Sequence, residues 1–185
     1  MFKSTLRIVA IATTLAAGTM LAHAENPMVG GAAMYPDKNI VENAVNSKDH
    51  TTLVAAVKAA GLVETLEGKG PFTVFAPTNE AFAALPAGTV DTLLKPENKD
   101  KLVKILTCHV VAADAMAATV EKMIKDDGGS HDIKTVGGCI LKAKDDMGKV
   151  TLTDENGTVA TVTIADVKQS NGVIHVIDKV LLPKM

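Results

Sequence analysis

Apolar and polar positions follow two different rhythms along this chain, and the change comes near its middle. From Asn39 to about Val111 the spacing is mostly helical. "NIVENAVNS" and "TTLVAAVKAAGLVETL" predict helices. In the second, Leu53, Val57 and Ala60 recur on one face, Thr51 or Thr52 is placed to cap, and Gly61 to interrupt or end the run. "PFTVFAP" then predicts a short strand over Phe72–Ala76 ended by Pro77, with Thr78 or Asn79 capping a following helix that holds Phe82 and Leu85. "PENKDKLVKILT" predicts another helix: Pro96 suits its first turn, and Leu102, Ile105 and Leu106 sit at i, i+3 and i+4. A short strand, "HVV", follows.

Beyond that point the period is two. "HDIKTV", "CILKA", "KVTLTDENGTVATVTI" and "VIHVIDKVLL" are β-rich runs separated by "DDGG", "GG", "DDMG" and "SNG". The "DENG" turn makes residues 149–164 a hairpin, and Asn156-Gly157-Thr158 reads as that turn although it matches a glycosylation acceptor. Helices early and strands late predict an α+β fold. Alternation places Val173, His175, Ile177, Lys179 and Leu181 on one face of the last strand and Ile174, Val176, Asp178 and Val180 on the other. His175 and Asp178 therefore point to opposite sides, and the Ser170, His175, Asp178 row fails as a local triad. No G-x-S-x-G elbow exposes Ser170.

The start of the chain has its own pattern. Lys3 and Arg7 precede an apolar stretch of 14 residues, Ile8 to Leu21, and "AHA" then offers a cleavage site after Ala24. This is the layout of a secretory signal peptide over residues 1–24, too short for a spanning helix of about 20 residues. The expected product is periplasmic or secreted and does not span the membrane. Residues 25–38, "ENPMVGGAAMYPDK", read as a flexible leader rather than packed structure, leaving residues 39–183 as one domain.

Composition narrows the function. Without residues 1–24 the chain holds 17 basic and 21 acidic residues, a net of −4, which disfavours a nucleic-acid partner. Arg7 is the chain's one arginine, so no bidentate phosphate or carboxylate clamp is available after cleavage. Tryptophan is absent, and the aromatics after residue 24 are Tyr35, Phe72, Phe75 and Phe82, too few for a stacking platform. His23, His50, His109, His131 and His175 show neither H-x-H nor H-E-x-x-H spacing, so no metal site and no cofactor is expected. Met28 and Met34 alone do not make a soft-metal site. In an oxidising compartment Cys108 and Cys139 predict a disulfide, with two separate buried thiols as the alternative.

Three stretches in this order carry a resemblance. "GPFTVFAPTNEAF" (Gly70 to Phe82), "LTCHVV" (Leu106 to Val111) and "SNGVIHVIDKVLLP" (Ser170 to Pro183) resemble the first, central and closing signatures of the fasciclin domain, in a small single-domain secreted bacterial form. The resemblance implies a wedge-like β-sandwich with several helices packed against it. It also implies structural roles for Phe75, Thr78, Asn79, His109, Asn171, Gly172, His175 and Asp178, with no catalytic residue among them. Cys108 stands where the family usually has tyrosine, which undermines transfer of the animal members' binding mode, although His109 matches. The function the resemblance implies is non-enzymatic adhesion to an extracellular or envelope protein or polysaccharide; the sequence does not fix the oligomeric state, for which a monomer is the expectation. Two alternatives stand beside it: a periplasmic carrier of a small apolar ligand held between sandwich and helices, with Met116 and Met123 as candidate lining, and a hydrolase built from His109 or His175 and a distant hydroxyl.

Overall fold

A computed structural model describes residues 26–184; the signal-sequence expectation and the Ala24 cleavage site lie outside them. The chain opens with a small hairpin, β1 (Met28–Val29) and β2 (Ala32–Ala33). Three helices follow: α1 (Ile40–Ala44), α2 (Thr51–Ala60) and α3 (Val63–Glu67). Strand β3 (Phe72–Pro77) leads to α4 (Asn79–Ala83), α5 (Thr89–Leu93) and α6 (Lys99–Thr107), the last entered through a 3₁₀ turn that starts at Pro96. Strand β4 (Val110–Val111) and helix α7 (Ala117–Asp126) precede β5 (His131–Lys134), β6 (Ile140–Asp146), β7 (Lys149–Thr153), β8 (Val159–Gln169) and β9 (Gly172–Ile177).

The larger sheet has seven strands in the order β4-β3-β9-β8-β7-β6-β5. β3 and β9 are parallel, in register from Phe72↔Gly172 to Pro77↔Ile177, and the other pairs are antiparallel. β8 is the corner. Its first residues pair with β7, its last with β9, and two register shifts lie between Val162 and Val167. Bulges of this kind bend a strand and increase its twist. The sheet therefore folds over itself as the two layers of a sandwich, with helices stacked outside one of them.

Period-two alternation then creates two cores. Val74, Ala76, Ile174 and Val176 face the helices and pack with Leu53, Val57, Leu102 and Ile105. Phe75, Ile177 and Leu181 face inward, meet Leu141, Leu152 and Ala160 from the other sheet layer, and are covered by Val120 and Ile124 of α7. The two faces assigned to the last strand are the two cores, although β9 ends at Ile177 and Asp178 is exposed. The α+β class and the sandwich with packed helices are thus what this sequence forms.

Two local expectations are corrected. The leader is not loose: over residues 26–38 it forms the β1–β2 hairpin, and Val29 and Met34 are buried. Asn43, itself buried, holds Tyr35 through both main-chain groups (Tyr35 N to Oδ1 3.0 Å, Nδ2 to Tyr35 O 2.7 Å), and Gly30 accepts from Lys48 N. Secondly, Thr51 and Thr52 do not cap α2. Asn79 does so from the start of α4: its Oδ1 accepts from Thr52 N at 3.0 Å and its Nδ2 donates to Lys48 O at 2.8 Å. Thr78 caps α4 itself, accepting from Ala81 N.

The open ends of the sheet are joined. Val136 N, in the β5–β6 connection, donates to Val110 O of β4 at 2.8 Å, and Gly137 N to Thr107 O at 3.0 Å. A Cβ on Gly137 would stand 2.6 Å from Thr107 Oγ1, so the close approach requires glycine. The Cys108–Cys139 disulfide, with both cysteines buried and a Cα–Cα distance of 5.4 Å, fastens the same seam. Both vulnerable edges are thereby covered.

Candidate functional site

Of the polar residues singled out in the sequence, His109 and His175 are buried, Thr78, Asn79 and Asn171 are half-buried, and Ser170 and Asp178 are exposed; their bonding shows what they act on. His175 sits in the inner core, stacked on Phe75 with ring centroids 5.7 Å apart. Its Nε2–H donates to Ala115 O at 2.8 Å and its Nδ1 accepts from Asp166 N at 3.2 Å. Burial lowers the pKa of this ring, against smaller opposing effects of the Ala115 hydrogen bond and of Asp166 and Asp114, which keeps it neutral. Thr73, fully buried on the adjacent strand, donates to Ala113 O at 2.6 Å and accepts from Ala115 N at 2.8 Å. Asp166, held at φ 58° in the β8 bulge, accepts from Ala117 N at 2.7 Å. Three side chains from three strands thus fix one loop, residues 112–116, at three of its main-chain atoms and at Ala117 N, where α7 begins. Thr73 and Asp166 carry no sequence signal for this role, since their partners lie about 40 to 50 residues away.

Asn171 and Gly172 organise the same end of the molecule. Asn171 Oδ1 accepts from Ile40 N at 3.0 Å, and Nδ2 donates to Leu66 O and Gly68 O at 2.7 and 3.0 Å. Gly172 lets the β8–β9 turn lie against Phe72; a Cβ there would be 1.9 Å from the Phe72 carbonyl oxygen. Between this turn, the α3–β3 connection and the 112–116 loop runs an open groove of about 760 Å³. Its walls carry exposed Lys69 and Lys168 together with Glu67, Asp114 and the half-buried Met116.

His109 lies elsewhere. Its Nδ1–H donates to Ile105 O at 2.8 Å and its Nε2 accepts from Leu181 N at 2.9 Å, tying α6 to the C-terminal segment. Burial drives its pKa down to about 4, opposed by the Ile105 hydrogen bond and the field of Asp154. Asp178 accepts from Thr161 N at 2.7 Å. The structure therefore does not bring His109, His175, Ser170 and Asp178 together, and neither imidazole has a nitrogen free to accept a proton. Among the described residues no three His, Cys, Asp or Glu side chains cluster closely enough to hold a metal, and no helix is long and apolar enough to cross a membrane. Met123 is exposed and is not among the residues lining the cavity between the helices and strands β3 and β9.

Comparisons with known proteins agree with this architecture. A family model described as Fasciclin domain matches residues 48–183. The Synechocystis protein sll1483 is 52% identical over 172 residues, covering 93% of this chain and 88% of that protein. The cell surface glycolipoprotein MPB83 of Mycobacterium bovis is 31% identical over 166 residues, covering 90% of this chain and 64% of its own length. Among solved structures, a FAS1 domain pair from the insect cell adhesion molecule fasciclin I superposes with a TM-score of 0.71 at 19% identity, over 80% of this chain and 51% of that one.

Proposed function

The chain belongs to the fasciclin domain family, and from that premise we propose that it is a non-enzymatic adhesion module working outside the cytoplasm as a periplasmic or secreted monomer. Its partner is a protein or polysaccharide surface of the envelope or matrix, engaged by the groove between Lys69, Lys168 and the 112–116 loop. The observation that carries this reading is the use made of the buried polar residues. Three hydrogen bonds of Thr73 and His175 end on the main chain of the 112–116 loop, and the half-buried Asp166 holds Ala117 N where the loop enters α7. Burying such groups is costly unless they are paired, and here their effect is to hold a surface loop in one shape. A rigid loop beside an open polar groove suits recognition of a large surface, because little freedom remains to be lost on binding. The surface location and adhesive work named for MPB83 and insect fasciclin I point the same way.

Retention of purified protein on its own cells, and on their isolated envelope and matrix polymers, tests this at roughly 1–10 micromolar, a range suited to modest interfaces. The wild type should be retained, and Lys69→Glu with Lys168→Glu should weaken retention without lowering thermal stability. No retention on any fraction, or retention unchanged by the double substitution, contradicts the groove as the site.

A further inference from the structure

Beneath α1, α2 and the β1–β2 hairpin, the helix-facing side of β3 and β9 leaves a cavity of about 50 Å³, separate from the groove. Its walls are aliphatic, with Val29, Met34, Leu53, Val74 and Ile174 among them. Three buried polar side chains, Ser47, His50 and His109, break that pattern. His50 lines the cavity at 2% exposure, and its Nδ1 lies 2.9 Å from Ser47 Oγ, but its Nε2 is buried with no hydrogen-bond partner. The Ala76 carbonyl is close enough to favour a proton on the ring without closing a hydrogen bond to Nε2. A second imidazole, His109, also borders the cavity, but both its nitrogens are taken.

The lining shows where the cavity reaches the surface. Val41 and Ala44 of α1, Val54 of α2, and Leu62 and Val63 at the α2–α3 junction are half-buried, and Lys58 is exposed. An entrant therefore passes between α1 and α2 along an aliphatic cleft and ends at His50. Its charge is constrained as well. Burial lowers the pKa of His50, outweighing the Ala76 carbonyl and the nearby Asp49 carboxylate, so the ring is neutral and offers no counter-charge to an anion. A volume near 50 Å³ accommodates a hydroxyl or carbonyl with its first carbons, and the remaining tail has the cleft.

We propose that this cavity is a binding site for a small uncharged amphiphile, an alkyl alcohol or ketone, whose oxygen accepts a hydrogen bond from His50 Nε2–H while Ser47 donates to Nδ1 and the alkyl tail lies between α1 and α2. The site is independent of the groove and goes beyond the adhesive reading.

Hexan-1-ol, hexan-2-one and hexanoate are the probes, and the side-chain nitrogen resonances of the histidines are the readout, in the full secreted protein at pH 7. The two neutral probes should move the His50 Nε2 signal saturably, with a Kd on the order of 1 mM or tighter, and leave His109 and His175 unmoved. Hexanoate should bind at least about tenfold more weakly, because its charge would be buried unpaired. His50→Phe, followed by methyl resonances of the cavity, should lose the neutral probes by about tenfold, and Ala44→Phe should block them by filling the cleft. A His50 signal that neither neutral probe shifts saturably overturns the proposal, as does hexanoate binding equally well. Undiminished binding to His50→Phe sinks the hydrogen bond. If that variant does not fold, unchanged binding to Ala44→Phe overturns the site.

Discussion

At the loop end of the sheet a buried imidazole has both nitrogens bonded to main chain; in the helical layer another has only one nitrogen bonded. His175 and His50 are equally buried, and burial shifts both toward neutrality. The difference lies in what surrounds them. His175 stands between a bulged strand and a loop whose free N–H and C=O groups need partners. His50 stands beside apolar walls and a serine. The pair teaches that a buried histidine is read from its second nitrogen: where that nitrogen closes on backbone the residue is a brace, and where it does not it is available to something else. His109 belongs with His175, since it joins α6 to Leu181 with both ring atoms.

Acid should break the braces first and by the largest amount. His109 has a folded pKa of about 4 against about 6.5 unfolded, so the unfolded chain binds more protons between those values. Stability is then complete above about pH 6.5 and falls as the pH drops toward 4, by about 3 kcal/mol for this ring alone. His175 and His50 add losses of the same sign. Urea unfolding from pH 7.5 to 4.5 measures the slope, and His109→Phe should flatten part of it.

Substitution at neutral pH separates the two kinds of histidine. His175→Phe leaves Asp166 N–H and Ala115 C=O without partners and should cost about 2–4 kcal/mol. Protection of amides in the 112–116 loop against hydrogen exchange should fall with it. Asn79→Ala removes the long-range cap of α2 and should cost about 1 kcal/mol, with exchange increased at Thr52 N–H. His50→Phe deletes an unpaired nitrogen and frees only a serine hydroxyl, so its effect should stay within about 1 kcal/mol in either direction. A loss there as large as at His175 would erase the contrast.

How much of this was legible depends on the range of each interaction. The two faces of the last strand, the buried face of α6 and the hairpin at Asp154–Thr158 follow from local periodicity and turn chemistry, and the structure contains them. The parallel pairing of β3 with β9, 100 residues apart, leaves no local trace, because alternation fixes a strand's faces but not its neighbours. Asn79 is readable as a cap, yet its target is α2, 27 residues earlier, rather than its own helix. The leader misled because Gly30 and Gly31, which mark looseness in isolation, form the tight turn of the β1–β2 hairpin; at Gly30 the turn lies against Ser47 and Asp49, where a Cβ would stand 2.4 Å from Ser47 Oγ. His50 offered nothing to read, since its exceptional feature is the absence of a partner.

The protonation of the two bracing rings tests the central claim most directly. Nitrogen spectra of the histidines across pH 5.5–8 should show His109 fixed as the Nδ1–H tautomer and His175 as the Nε2–H tautomer, neither titrating over that range. Either ring protonating near its ordinary pKa of about 6.5, or interconverting between tautomers as a solvent-exposed imidazole does, would contradict a bracing role for these residues and the rigid loop built on it.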